Sequence, residues 1–277
     1  MTKKSEKWKS IAFLTAQGYR ENEIGKRAAS LTYYLIFAIF PFLIFVSSLL
    51  GFLHLPMLSL EGREGLLPAD VAALLNLTIA HMTEVKSGAW MTFGLVFSIW
   101  FPLRAVRNMM TEISRIYHCG NPKRRTGRVA VMAVLFLVFV PVVVMVLLIG
   151  DGVLEFVNLF LPLDESFVQF WTNFRFVPVA AAFWGLICMV YYLAPSEPPK
   201  KRYILPGAVL SVAAWVIFSV AFSYYVDHMG RYSLLYGSIG TVIAFLVWLN
   251  WSNMALLMGA VFNEALRQYE TGKRFYL

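Results

Sequence analysis

Long apolar runs recur six times along these 277 residues, at Ala29 to Leu53, Gly88 to Leu103, Val129 to Ile149, Phe174 to Ala194, Tyr203 to Val226 and Tyr236 to Phe262. A membrane-crossing helix needs about 20 mostly apolar residues. In hydrocarbon each backbone N–H and C=O must find its partner within the protein, so an apolar run that enters a bilayer does so as a helix. The pattern therefore predicts an all-α, polytopic membrane protein with six transmembrane helices. Composition agrees: 59% of the residues are hydrophobic and only 14% charged, outside the range of soluble domains.

The net charge of +8 raises the question of a nucleic-acid partner, and the placement of the charge answers it. Of the 24 Lys and Arg, 20 lie before the first run, between Arg104 and Arg128, at Lys200 to Arg202, and after Glu264; the alternating loops hold 4. Basic residues collect on the cytoplasmic side of a membrane, so the excess reads as topology and no nucleic acid is expected. Six spans return both termini to the cytoplasm. The expected segments are a cytoplasmic amphipathic stretch at 1–27, a six-helix domain at 28–266 and a cytoplasmic tail at 267–277. Met1 to Lys9 is basic and polar, with no cleavable signal pattern, so the first run is expected to remain in the mature protein. Cys119 falls in a cytoplasmic loop and Cys188 within a span, which predicts free thiols.

The last run, Tyr236 to Glu264, carries Asn250, Ser252, Asn253, Asn263 and Glu264 inside it or at its end. Such groups cannot face lipid. At 100° per residue Asn250, Asn253, Leu257 and Glu264 share one side, while Ser252, Ala255, Gly259 and Asn263 form a neighbouring seam of mostly small residues. Such seams admit another helix closely, so this span is expected to be the hub of the bundle.

The remaining runs supply secondary features. Lys3, Lys4, Lys7 and Lys9 mixed with Trp8, Ile11, Phe13 and Leu14 suit a helix anchored on an anionic leaflet. The first run has Ser30, Thr32, Tyr33 and Tyr34 near its inner mouth and Pro41 in its middle, where a kink serves either packing or a cavity wall. Between the first two runs, Leu67, Val71, Leu74, Leu75 and Met82 have helical spacing, with Pro68 and Asp70 at its start. A short amphipathic helix in the first outer loop is expected there. After Pro102 the second run passes into Arg104, Arg107, Asn108, Glu112 and Arg115 without a breaker, so that helix should continue into the cytoplasm. Its arginines are expected to pair with Glu112 or Glu264, or else to form a solvated face. In the fifth run Gly207, Ser211, Ser219, Ser223 and Asp227 lie on a four-residue ladder interrupted by Trp215. A four-residue ladder drifts about 40° per step on a straight helix and is expected to wind round rather than face one neighbour.

No GxxxxGK[ST] loop, GxGxxG, HExxH, CxxC or GxSxG motif is present, so neither a nucleotide cofactor nor a hydrolytic centre is expected. The histidines, His54, His81, His118 and His228, are scattered, and no metal site is assigned. The chain is read as a non-enzyme with no cofactor.

At RAASLTYYLIFAIFPFLIFVSSLLG, RAVRNMMTEISRIYH and LLYGSIGTVIAFLVWLNWSNMALLMGAVFNEAL the chain resembles the YihY/BrkB family of bacterial inner-membrane proteins. Ala29, Ser30, Leu31, Tyr33, Tyr34 and Pro41 fit the A-S-L-x-Y-Y start of its first span. Arg104, Ala105, Ile116 and Tyr117 fit part of the pattern after the second. Tyr236, Gly237, Ser238, Gly240, Trp248, Gly259 and Ala260 fit the last, where members show Y-G-S-x-G and G-A-E-x-N. Val261 stands where the family often has Glu, with Asn263 and Glu264 following, and Ser114 where Asn is usual. The resemblance implies six helices, cytoplasmic termini and a place in the bacterial inner membrane. Some members carry a ribonuclease BN label; the metal-holding carboxylates and histidines of a nuclease are missing from the cytoplasmic segments here.

Two functions are carried forward. The first is a passive or ion-coupled transporter of an envelope-related, anionic amphiphilic or lipid substrate. Its path would be lined by Tyr33, Tyr34, Arg104, Arg107, Asn250, Asn253 and Glu264, with Pro41, Gly237, Gly240 and Gly259 serving helix packing. The second is a structural or assembly protein of the envelope that moves nothing. Membrane lipids are the expected partners of either. A path should be wet and polar, whereas a scaffold should bury its Asn side chains in direct helix contacts.

Overall fold

The computed structural model describes residues 3–52, 88–118, 127–136, 138–139, 176–195, 199–228 and 238–272. Seven helices account for them: α1 (Lys3–Glu21), α2 (Ile24–Phe52), α3 (Gly88–Ile116), α4 (Gly127–Phe136), α5 (Phe176–Leu193), α6 (Lys201–His228) and α7 (Ser238–Thr271). No strand occurs among the described residues. Among the described residues two stretches, Lys201–Tyr225 and Val242–Thr271, are long and apolar enough to cross a membrane. The amphipathic helix expected at 67–82, the outer segment around Asp151 and Gly237 lie outside the described residues. Helix α2 runs through Pro41, and α3 continues unbroken past Pro102 to Ile116, well beyond the end of its apolar run.

α1 gives way to α2 through a single tight step. Asn22 donates both its backbone N–H and its side-chain Nδ2 to Gly18 O, at 3.1 and 2.9 Å, closing the end of α1. Glu23 follows with φ +46°, a left-handed conformation uncommon for a residue with a side chain. Its carboxylate accepts Lys26 Nζ at 2.5 Å, and that contact holds the acid below the usual carboxylate range.

Beyond this step α1 and α2 run one after the other along α7, antiparallel to it. Lys7 pairs with Glu270, Ile11 packs with Leu266, Gly18 meets Val261, and Thr32 meets Asn253. Gly18 is needed for the approach, because a Cβ there would lie 2.8 Å from Val261 Cγ1. The N-terminal stretch, read from sequence as a membrane-surface anchor, thus has a protein surface to lie on, while Trp8 and Phe13 stay exposed.

α7 packs against α6, α2, α1 and α3, most extensively against α6. Its Leu257, Ala260 and Val261 share one buried core with Ile24, Ala28 and Leu31 of α2, Met110 and Ile113 of α3, Val190 and Tyr191 of α5, and Ile204 and Ala208 of α6. α4 joins that core through Val129, Met132 and Ala133, and Arg128 ties its start to Pro195 O at 2.8 Å.

The four-residue ladder of α6 behaves differently from expectation. Gly207, Ser211, Trp215 and Ser219 all contact α7, Ser223 is exposed, and the side chain of Asp227 lies outside the described residues. A straight isolated helix would carry the ladder round its surface. Two crossing helices that interlock along their i±4 rows keep such a row against its partner.

Candidate functional site: a polar junction on the last helix

At the centre of the α6–α7 crossing neither backbone carries a side chain. A Cβ added to Gly207 would overlap Gly259 O and the Asn263 side chain; one added to Gly259 would overlap Gly207 O, Ser211 Oγ and the Tyr191 hydroxyl. This closeness brings side chains of α6 and α5 within reach of α7 carbonyls. Ser211 Oγ donates to Ala255 O at 3.0 Å and Tyr191 donates to Leu256 O at 2.5 Å, with the two hydroxyls 2.7 Å apart. Two hydroxyl hydrogens serve three contacts, so one contact is always shared.

One turn further along, Asn263 is fully buried and uses its whole amide. Oδ1 accepts the Gly207 N–H at 2.7 Å, while Nδ2 donates to Tyr117 Oη at 3.1 Å and to Ile204 O at 3.2 Å. Pro206, which has no N–H of its own to donate, lies between these two groups of α6. Tyr117, just past the end of α3, is equally buried; burial pushes its phenol well above the ordinary range, so the hydroxyl stays protonated. Asn263 therefore pins α3, α6 and α7 together. The sequence placed it on the seam but not among the path candidates, although its register with Ala255 and Gly259, and the closing N of the family pattern, both pointed to it.

Asn253 lies two to three turns before Asn263 and donates to Thr32 Oγ1 of α2 at 3.1 Å; Thr32 in turn donates to Ala28 O at 2.9 Å. Asn250, one turn earlier, has a buried Oδ1 with no hydrogen-bond partner among the described residues, as does Asn108 Nδ2 on α3.

The acids at the α1 end of the bundle have partners other than those expected. Glu112 accepts Arg27 of α2 at 2.5 Å and Arg115 at 2.9 Å. Glu264, 4% exposed, is held by Arg267 through two bonds of 2.8 Å and by Gln268 at 3.1 Å. The expected pairing of Arg104 or Arg107 with either acid is thus corrected: closer arginines occupy both carboxylates, and Arg104 and Arg107 are exposed. Arg104 lies over the Trp100 ring, 5.4 Å from its centre. Glu270 joins three helices, reaching Arg202 of α6 at 3.0 Å and Lys7 of α1 at 3.7 Å.

Among the described residues no single cavity is lined by all seven path candidates. Tyr33 is 60% exposed and meets Tyr34 and Phe37 edge-on or tilted; Asn253 is spent on Thr32; the two arginines face outward. Only Glu264 borders a described cleft, a space of about 30 Å³ between α1, α3 and α7 with Gln17, Glu21, His118 and Gln268, large enough for roughly one water. A wider open groove of about 500 Å³ lies between α1 and the end of α7, at Lys9, Phe13 and Tyr269. Of the packing candidates, Gly259 sits at the helix crossing and Gly240 is buried near the start of α7.

Among the described residues two helices have the length and apolarity that a helical membrane protein requires. Comparison with known proteins narrows the class. The family model described as Virulence factor BrkB matches residues 15–275, and the chain belongs to that family. Similar proteins include YfkH of Bacillus subtilis (strain 168), whose name calls it ribonuclease-like, at 26% identity over 90% of this chain and 92% of YfkH. The UPF0761 membrane protein NTHI0384 of Haemophilus influenzae is 21% identical over 91% of this chain and 93% of its own length. UPF0761 membrane protein IL2447 of Idiomarina loihiensis is 32% identical over 34% of this chain and 33% of its own. No solved structure matches the chain.

Proposed function

We propose that this chain is a six-span protein of the bacterial inner membrane, with both termini in the cytoplasm, that serves the envelope as a structural or assembly element rather than as a conduit. The distribution of 20 against 4 basic residues supports the orientation. The observation that carries the functional reading is the fate of the polar groups on α7: Asn263 spends its whole amide on α3 and α6, and Asn253 bonds directly to α2. A path would hold such groups open to water. An enzymatic role has no support in the paired carboxylates, since Glu112 and Glu264 are each bound by arginine, and among the described residues no three His, Cys, Asp or Glu side chains group to hold a metal.

A second reading, transport of an anionic amphiphile, is favoured by the buried atoms Asn250 Oδ1 and Asn108 Nδ2, which have no hydrogen-bond partner among the described residues. In hydrocarbon such atoms cost several kcal/mol each, and a water or a passing polar group would relieve them. Purified protein in liposomes, assayed with labelled anionic lipid and with small polar solutes, separates the two. The structural reading expects neither to move faster than in empty vesicles. Protein-dependent movement that Asn250→Leu abolishes would replace it with the transport reading.

A further inference from the structure

Arg104 and Arg107 stand outside the ion-pair network at the α1 end of the bundle. Both are exposed on α3, neither makes an ion pair among the described residues, and the carboxylates that sequence offered them are occupied by Arg27, Arg115 and Arg267. Two cations with no ion pair among the described residues, at the margin of an apolar span, are suited to an anion from outside the chain.

Their surroundings indicate which anion. At 100° per residue Val96, Trp100, Leu103, Arg104 and Arg107 fall on one side of α3, and all five are exposed. From Val96 to Arg107 the face rises about 16 Å, close to the half-thickness of a bilayer whose hydrocarbon is about 30 Å deep. Along that rise it changes from aliphatic, through an indole, to two guanidinium groups. The apolar part widens sideways onto α2, where Phe37, 46% exposed, stacks against Phe101 with ring centres 6.3 Å apart. Arg104 lies over the indole of Trp100, an arrangement that leaves the N–H edge of the guanidinium free to meet phosphate oxygens in a fork.

We propose that this face of α3, with Phe37 of α2, is a binding site for an anionic glycerophospholipid of the adjoining leaflet. Its phosphate sits on Arg104 and Arg107, its ester region lies beside Trp100, and an acyl chain runs along Val96 and the Phe37–Phe101 edge. The proposal rests on the six-span reading, which places α3 in the bilayer, and is independent of whether the protein moves any substrate.

The test uses the full-length protein released from mixed micelles and native mass spectrometry to count retained lipids, with phosphatidylglycerol, phosphatidylcholine and inorganic phosphate as separate probes. Phosphatidylglycerol should be retained in preference to phosphatidylcholine, and inorganic phosphate should not compete. Arg104→Gln and Arg107→Gln should each lower retention of the anionic lipid about fivefold, from a charge contribution of about one such factor per basic residue near the surface. Arg104→Lys should recover part of the loss, and Lys26→Gln, at an exposed cation already paired with Glu23, should change nothing. Equal retention of the two lipids, or undiminished preference in the double Gln variant, overturns the proposal, as does full competition by inorganic phosphate. A fluorophore attached at Leu103→Cys and exposed to quencher-bearing lipid reports separately on the six-span reading: quenching with no headgroup preference sinks the site alone, whereas no quenching sinks the placement of α3.

Discussion

The side-chain oxygen of Asn263 accepts the backbone N–H of Gly207 at 2.7 Å, joining α7 to α6 one residue after the proline that interrupts the hydrogen-bond ladder of α6. The same amide holds Tyr117 and Ile204 O, so a single side chain fixes the relation of three helices.

Replacing Asn263 with Leu keeps much of its volume and removes every bond. A buried donor or acceptor left without a partner costs about 1–3 kcal/mol, and Gly207 N–H and Ile204 O would both be affected. Thermal unfolding of the detergent-purified protein should shift downward by several degrees, and Asn263→Asp, which keeps the acceptor but loses the two N–H donors, should also destabilise. A melting temperature unchanged by Asn263→Leu would show that the junction is not structural.

Gly259→Ala should destabilise by about 1–3 kcal/mol, the usual range for overpacking, because the new methyl meets the Gly207 backbone carbonyl as well as two side chains. Gly185→Ala on α5 meets nothing within 4 Å and should be neutral or slightly stabilising. Melting both variants in the same detergent checks the contrast; equal effects would count against the close crossing.

Arg27 and Glu112 should be coupled. They tie α2 to α3 with side chains 24% and 9% exposed, between the surface and buried cases, so a coupling on the order of 1–3 kcal/mol is expected. A double-mutant cycle of Arg27→Ala and Glu112→Ala, read by thermal or denaturant unfolding, measures it. The same cycle with Arg104 in place of Arg27 should return additive effects.

Single cysteines introduced on a background with Cys119 and Cys188 replaced should report the orientation. Positions 61, 165 and 231 should react with a membrane-impermeant maleimide in intact cells, and position 200 only after lysis. Strong labelling at position 200 in intact cells, with none at 165, would reverse the assignment.

The sequence alone determined that the described residues are helical and that the chain belongs among membrane proteins. Apolar runs of bilayer length admit only helices, because backbone groups in hydrocarbon must be satisfied locally; α2, α3, α5, α6 and α7 lie where those runs are. The small residues at 255 and 259 were legible as a close-approach seam because their spacing alone puts them on one face. Partner choice was not legible. Glu112 lies within one or two turns of Arg104, Arg107 and Arg115 on its own helix, yet its shortest bond is to Arg27, 85 positions away, and only the antiparallel fit of α2 on α3 brings that cation nearest. Asn263 is separated from Tyr117 by 146 positions and from Gly207 by 56, and the close crossing of α6 over α7 brings the Gly207 N–H to the amide. Local periodicity fixes which face of a helix is buried. Which neighbour arrives there is set by how the helices cross, and one helix at a time carries no record of that.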